Sequence, residues 1–433
     1  MQTIYDILGI GIGPFNLGLA ALAANIPRLT TIFLDERPGF NWHPGMMMEG
    51  TKLQVPFHAD LVTLADPQSP FSYLCYLKAK QRLFRFTIRE EYFPLRKEYN
   101  DYCRWVCSQL KNLSFGRHCE KIYYDEQKGV YVVCCRETSS DALKIYYSRH
   151  VVLGVGSQPY LPDCINRNHP HIFHSANYLP NKKLIKGKKQ VSIVGSGQSA
   201  AEIFYDLLTV LDSEKDGEKE PFQLNWYTRS ARFFPMEYSK LTLEMTSPDY
   251  LRHFYALAPA VKEKVLAGQS GLYKGINHSL IAAIYDKLYS IGLDNAIGKT
   301  PVHLQSNCHL EEVTIGESDR VDCGFMQTET RRSFQQTTDI LILATGYHRK
   351  IPPFLAPVKE NIRWDDRGRY DVKEHYSIDD RDSLFVQNGE LHTHGFNAPD
   401  LGMGPYRNAV ILNSILGYVH FDIEREVAFQ SFG

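Results

Sequence analysis

Two glycine-studded strand–turn–helix segments, at residues 4–24 and 188–208, and a late apolar strand ending in Ala344-Thr345-Gly346 predict an α/β chain. The expected architecture is two Rossmann-like dinucleotide-binding units, the second inserted in the first, with a small helical region beside them. The boundaries read from the sequence are 1–165 and 336–433 for the first unit, 166–240 and 296–335 for the second, and 241–295 for the helical region.

The first unit opens with IYDILGIGIGPFNLGLAALAA. An apolar strand reaches Gly9, a turn runs through Gly11, Gly13 and Pro14, and an Ala/Leu-rich helix starts near Phe15. A turn this tight favours residues without a Cβ, and a helix N-terminus offers unpaired N–H groups to a pyrophosphate. Two registers fit, and neither has a third glycine: the sixth place is Pro14 in one and Asn16 in the other. The next strand, TTIFLDERPGF, puts Asp35 where an acidic residue meets a ribose hydroxyl. A transmembrane reading of residues 7–24 is opposed by the Gly, Pro and Asn in their first half and by Asp6 just before them.

Composition narrows the function classes. Lys+Arg 48 against Asp+Glu 49 leave a net charge of −1, so no global basic character favours nucleic acid or an anionic membrane. None of the nine cysteines forms a CxxC pair, and no secretory-type apolar region precedes the first strand. A cytoplasmic protein with reduced thiols, no metal site and no stable membrane insertion is expected. The segment from Arg37 to Leu77 is apolar without regular periodicity, as expected of chain packed on a large flat cofactor; Trp42, His43 and Gln54 are its candidate contacts.

A helix is expected near residues 91–110. Three alternating runs, KIYYDE, GVYVVCCRE and LKIYYSRHVVLGVGS, read as antiparallel strands rejoining the first sheet. A polar linker follows over 166–189. The second unit starts at KKQVSIVGSGQSAAEIFYDLL, where Gly195, Gly197, Gln198 and Ser199 form the turn and Ala200 takes the third glycine place. After the next strand stand Arg229 and Ser230 in place of an acidic residue, which suits the 2′-phosphate of NADP. The acidic loop DSEKDGEKE reads as a solvated excursion. Residues 236–295 are helix-like. The strand ending in Thr345-Gly346 is expected to return to the first unit and bring its turn to a dinucleotide. Finally NAPDLGMGPY, with Gly402 and Pro405, opens a helix whose amides could face a flavin ring.

The stretches FLDERPGFNWHPGM, KLQVPFHADLVTLADPQSPFSYLCYL, PLRKEYNDYCRW, GSGQSAAE and ATGY resemble the N-hydroxylating flavin monooxygenases of siderophore biosynthesis, which act on lysine, ornithine or diamines. The resemblance spans nearly the whole chain. It implies FAD in the first unit and NADPH in the second, O2 and a small aliphatic amine as reactants, a C4a-hydroperoxyflavin as oxidant, and a homo-oligomer, tetrameric in many members. It places Gln54 beside the flavin as the candidate catalytic residue, Trp42 in the WH block and Arg229 near the adenosine phosphate. A free alkylamine has a pKa near 10.4, so the site must also strip the amine's proton by desolvation.

The departures from the family's pattern bear on substrate. Amino-acid hydroxylases of the family carry a carboxylate-binding lysine where this chain has Ala59. Their asparagine falls here at Leu243, and an Asn-Tyr pair at Leu272-Tyr273. An unpaired buried carboxylate is expensive, so a substrate lacking one is expected: putrescine or cadaverine. Glu244, Asp249 and Asp400 are candidate acceptors for the far ammonium. L-lysine or L-ornithine as substrate is the alternative. A disulfide reductase would need a cysteine pair, a Baeyer-Villiger or sulfur-oxidising enzyme lacks the WHPGM block, and a non-catalytic nucleotide sensor would keep the folds without turnover.

Overall fold

The computed structural model describes residues 3–433 except 167, 214–221, 294 and 296–298. All but the first two residues of the acidic loop 212–220 therefore lie outside the described residues.

Strand Ile4–Ile10 is central in a seven-stranded sheet, flanked in parallel by Thr31–Asp35 and Leu143–Leu153. Its Ile7, Leu8 and Ile10 are buried, as a parallel strand covered on both faces requires. Helix Pro14–Ala23 buries eight of its ten residues against the helix Met403–Leu416 and the tyrosine-rich layer of Tyr73, Tyr76, Tyr99 and Tyr102. The three alternating runs are the antiparallel strands Arg117–Asp125, Val130–Glu137 and Leu143–Leu153. The last is long enough for two partners on one side: its first half pairs with Val130–Glu137, its last three residues with Leu384–Val386.

The second sheet is wholly parallel, in the order Val302–Gln305, Gln223–Tyr227, Gln190–Val194, Ile340–Leu343, Ile172–His174. Two expectations are corrected here. Strand Ile340–Leu343 does not return to the first sheet; all four of its residues are buried between Gln190–Val194 and Ile172–His174. An apolar run marks a doubly covered strand without saying which sheet covers it, and the real return is Leu384–Val386. The expected linker over 166–189 likewise supplies the edge strand Ile172–His174.

The helical region is smaller than expected. Helix His278–Leu293 is the crossover between strands Gln223–Tyr227 and Val302–Gln305, and its Ile284 and Ile291 join the second core. Only the short helices between Lys240 and Tyr273 stand apart, around Tyr250, Phe254 and Phe396. The connections between the sheets meet as an antiparallel ribbon, Gln158–Pro159 with Tyr347–His348. No helix among the described residues is long and apolar enough to cross a membrane.

Candidate active site

The first glycine turn is built for a diphosphate. Gly11 has φ +86°, and a Cβ there would lie 2.4 Å from the Gly154 carbonyl oxygen. A Cβ on Gly9 would meet the Phe33 ring at 2.1 Å. Gly13 differs: it caps helix Pro14–Ala23 with no side-chain hydrogen bond, and a Cβ there would meet nothing within 4 Å. The first-turn amides therefore face open space with Pro14 pre-set at the helix start, which fits a pyrophosphate. Asn16 explains the missing third glycine. Fully buried, it donates to Gly11 O at 2.8 Å and accepts from Gln387 Nε2 at 2.6 Å, tying the turn to the strand ends beside it.

Asp35 stands at the end of its strand, but its carboxylate is already engaged. Oδ2 accepts from Ile12 N at 2.7 Å and Arg37 Nη2 at 2.6 Å; Oδ1 accepts from Arg37 N and Nε at 2.9 and 2.8 Å. Four donors fill the acceptor sites of a carboxylate. Asp35 thereby braces the glycine turn through Ile12 and Arg37. Burial raises the Asp35 pKa, yet the Arg37 guanidinium and the Ile12 amide outweigh it and hold the carboxyl below its usual value.

The second turn repeats the device. Gly195 has φ +151°, a Cβ on it would lie 2.2 Å from Ala344 O, and its own carbonyl accepts from Trp226 Nε1 at 2.7 Å. Gly197 has Lys274 O 3.5 Å from its would-be Cβ, and Gln198 and Ser199 open helix Gln198–Ser213. Arg229 is exposed just past strand Gln223–Tyr227, followed by Ser230, whose amide donates to Thr228 Oγ1 at 3.1 Å. Thr345 and Gly346 serve the linker ribbon instead of an open turn: Thr345 Oγ1 donates to Tyr160 O at 2.5 Å, and Gly346 O accepts from His174 Nε2 at 2.9 Å.

A cavity of about 430 Å³ opens where the first unit, the short helices and the segment before the last helix meet. Trp42, Gln54 and Ala59 line it from the first unit, Leu243, Leu272 and Tyr273 from the short helices, and Asp400 and Gly402 from the segment before the last helix. Gln54 bridges the units: Nε2 lies 3.3 Å from Gly275 O and 3.5 Å from Gln198 Oε1. Pro405 lies beside Pro14 and Phe15 in a small crevice where the two helix starts meet. His43 is not on the cavity wall; left-handed at φ 47°, it sits exposed between the Trp42 and Tyr347 rings.

Two of the three candidate ammonium acceptors are corrected. Glu244 accepts from the amides of Phe429 and Gln430 at 3.1 and 3.0 Å, and Asp249 from Val427 N at 2.9 Å. Both carboxylates hold the C-terminal segment, and neither lines the cavity. Asp400 does line it, with Oδ1 accepting from Gly402 N at 2.7 Å and Met403 N at 3.3 Å.

Against known proteins, residues 3–349 match the family described as L-lysine 6-monooxygenase/L-ornithine 5-monooxygenase. The chain belongs to that family. It is 46% identical over 431 residues to a putrescine N-hydroxylase of Shewanella oneidensis, covering 100% of this chain and 84% of the relative. A rhizobactin siderophore biosynthesis protein of Rhizobium meliloti is 39% identical over 442 residues, covering 100% and 96%. In structure it is similar to the FAD-bound cadaverine monooxygenase of the desferrioxamine pathway from Erwinia amylovora, with TM-score 0.96, 46% identity, and 100% and 99% of the two chains covered. This family member is an FAD- and NADPH-dependent amine N-hydroxylase.

Sequence reasoning missed the polar groups that frame this hydroxylase's site. Arg96 lines the cavity and makes a bidentate pair with Glu202, at 2.8 and 2.7 Å, across the two units; the side chains are only 13% and 3% exposed. Both stand inside quoted motifs, PLRKEY and GSGQSAAE, but nothing in either motif says that they meet. His58, Glu237 and Tyr238 on the wall carried no spacing signal at all.

Proposed function

We propose that this enzyme N-hydroxylates one primary amine of an aliphatic diamine, putrescine or cadaverine, as a step in siderophore biosynthesis. The carrying observation is the charge of the cavity wall. Its lining contains the carboxylates of Asp400 and Glu237 and one guanidinium, Arg96, already neutralised by Glu202. An α-amino acid would leave its carboxylate facing Ala59, Leu243 and Leu272, and a buried anion without a partner is costly. A dication suits the same wall. The names of the Shewanella and Erwinia relatives support this reading.

In the proposed arrangement the diamine's far ammonium rests on Asp400 and its reacting amine lies toward Gln54, at the junction of the units. FAD would be held at Gly11, Gly13 and Pro14 and NADPH at Gly195, Gly197 and Gln198, with Arg229 and Ser230 at its 2′-phosphate. Bound flavin, reduced by NADPH, supplies the activated oxygen. The chain's own task is to orient the amine, exclude water and favour the neutral amine by desolvation beside Trp42, Leu53 and Met236. NADPH oxidation measured together with hydroxylamine product for putrescine, cadaverine, L-lysine and L-ornithine tests the reading. Coupled turnover with the diamines is expected; coupled turnover confined to the amino acids overturns it.

A further inference from the structure

One buried ion pair near the cavity has no place in the function so far. Glu390 and Arg407 are 0% and 1% exposed, with Oε1 and Nη1 2.9 Å apart. Such a pair adds little stability over apolar residues of the same size, so its position calls for another reason. The Arg407 guanidinium touches three parts of the site. Nη2 donates to Ala398 O at 2.6 Å, in the segment that carries Asp400. Its Cζ lies 4.5 Å from the centre of the Phe15 ring, in the first turn after Gly13, and 5.7 Å from that of Tyr376. Glu390 is fixed in turn by the Gly389 amide, which donates to its Oε2 at 2.7 Å.

We propose that Arg407, held by Glu390, is a positioning residue that fixes the Asp400 wall against the flavin turn, so that the Asp400 carboxyl meets the far ammonium. This rests on the diamine reading above. Burial raises the Asp400 pKa above its ordinary value, and the Gly402 and Met403 amides and the Arg407 charge offset only part of that rise. The same cavity wall carries Glu237 and Tyr238 from the 236–238 segment, His58 and Arg96 from the first unit, and Tyr273 from the short helices, and of these Tyr238 interacts with Asp400.

The test is the ratio of kcat/KM for cadaverine to that for n-pentylamine, which lacks the far ammonium, followed over pH on flavin-loaded enzyme. Titration of the reacting amine is common to both substrates and largely cancels. The variant Arg407→Met/Glu390→Gln removes both charges and leaves none buried alone. Its ratio at neutral pH should fall at least about fivefold, because the Ala398 carbonyl and the Phe15 ring lose the guanidinium that holds the Asp400 segment in place. Glu390→Gln alone loosens the hold on Arg407 and should also lower the ratio, while Arg407→Lys, which cannot reach both Glu390 and the Ala398 carbonyl, should fall between the double variant and wild type. An unchanged ratio in the double variant overturns the inference. Asp400→Asn separates the two readings: if it leaves the ratio unchanged, the diamine anchor itself fails, whereas a lowered ratio there with an unchanged double variant refutes Arg407 alone.

Discussion

Placing a lysine at Ala59 puts a cation back where the amino-acid hydroxylases have one. Ala59 is 3% exposed on the cavity wall, and its Cβ lies 3.5 Å from the Cβ position of Gly402, two residues beyond Asp400. An ammonium there would face the bound diamine and compete for Asp400. Two like charges about 6 Å apart at an effective dielectric near 20 repel by about 3 kcal/mol, roughly a hundredfold in affinity. Solvent at the open side of the cavity reduces this, so Ala59→Lys should lower kcat/KM for cadaverine at least about tenfold. L-lysine, whose carboxylate gains a partner, should improve. Product-detected kinetics with both substrates, and Ala59→Met as the uncharged control of similar length, separate charge from bulk. A cadaverine loss under about threefold, or an equal loss in Ala59→Met, would refute the electrostatic reasoning.

The remaining expectations concern the frame. Glu202→Gln leaves the Arg96 guanidinium buried without its counter-charge, which should cost about 3 kcal/mol in urea unfolding; a loss below about 1 kcal/mol would contradict a fixed bridge between the units. His394 is fully buried, and burial pushes its pKa down to about 3 despite its bond to Glu374 O at 3.2 Å. Only the unfolded chain protonates it between its ordinary pKa of 6.5 and about 3, so its contribution is full above 6.5 and falls with pH through that window. Unfolding free energy should drop there by about 1.4 kcal/mol per pH unit from this group, and His394→Gln should flatten the slope. Gly13→Ala should fold but purify with less flavin, because its methyl enters the open cradle, whereas Gly11→Ala should lower Tm outright; flavin absorbance and thermal melts distinguish them.

Much of the fold was legible because its signals are local. Gly11 and Gly195 announce turns that a Cβ would block, and the alternation from Lys121 to Leu153 announces antiparallel strands. What stayed hidden was partnership between distant segments. The strand Ile340–Leu343 is equally apolar whichever sheet receives it, and helix His278–Leu293 looks the same as a cavity wall or as a crossover. In the site, Ala59, Leu243, Leu272 and Tyr273, spread over more than two hundred positions in sequence, do line one cavity, and they were found from departures at motif positions. Glu244 and Asp249 were misjudged because a free-looking carboxylate gives no sign that a C-terminal amide will claim it. Arg407 and Glu390 are unreadable for the same reason: their meaning is a contact across seventeen residues and two turns of backbone.

Substrate choice is the central claim, and a competition measures it most directly. Wild-type enzyme is given NADPH, O2 and equimolar cadaverine, putrescine, L-lysine and L-ornithine in one vessel, and the hydroxylamines are quantified by mass spectrometry at low conversion. An Asp400-bearing wall whose one guanidinium among the described residues, Arg96, is paired with Glu202 predicts that the hydroxylated diamines exceed the hydroxylated amino acids by about tenfold or more. A tenfold excess of hydroxylated lysine or ornithine would contradict it.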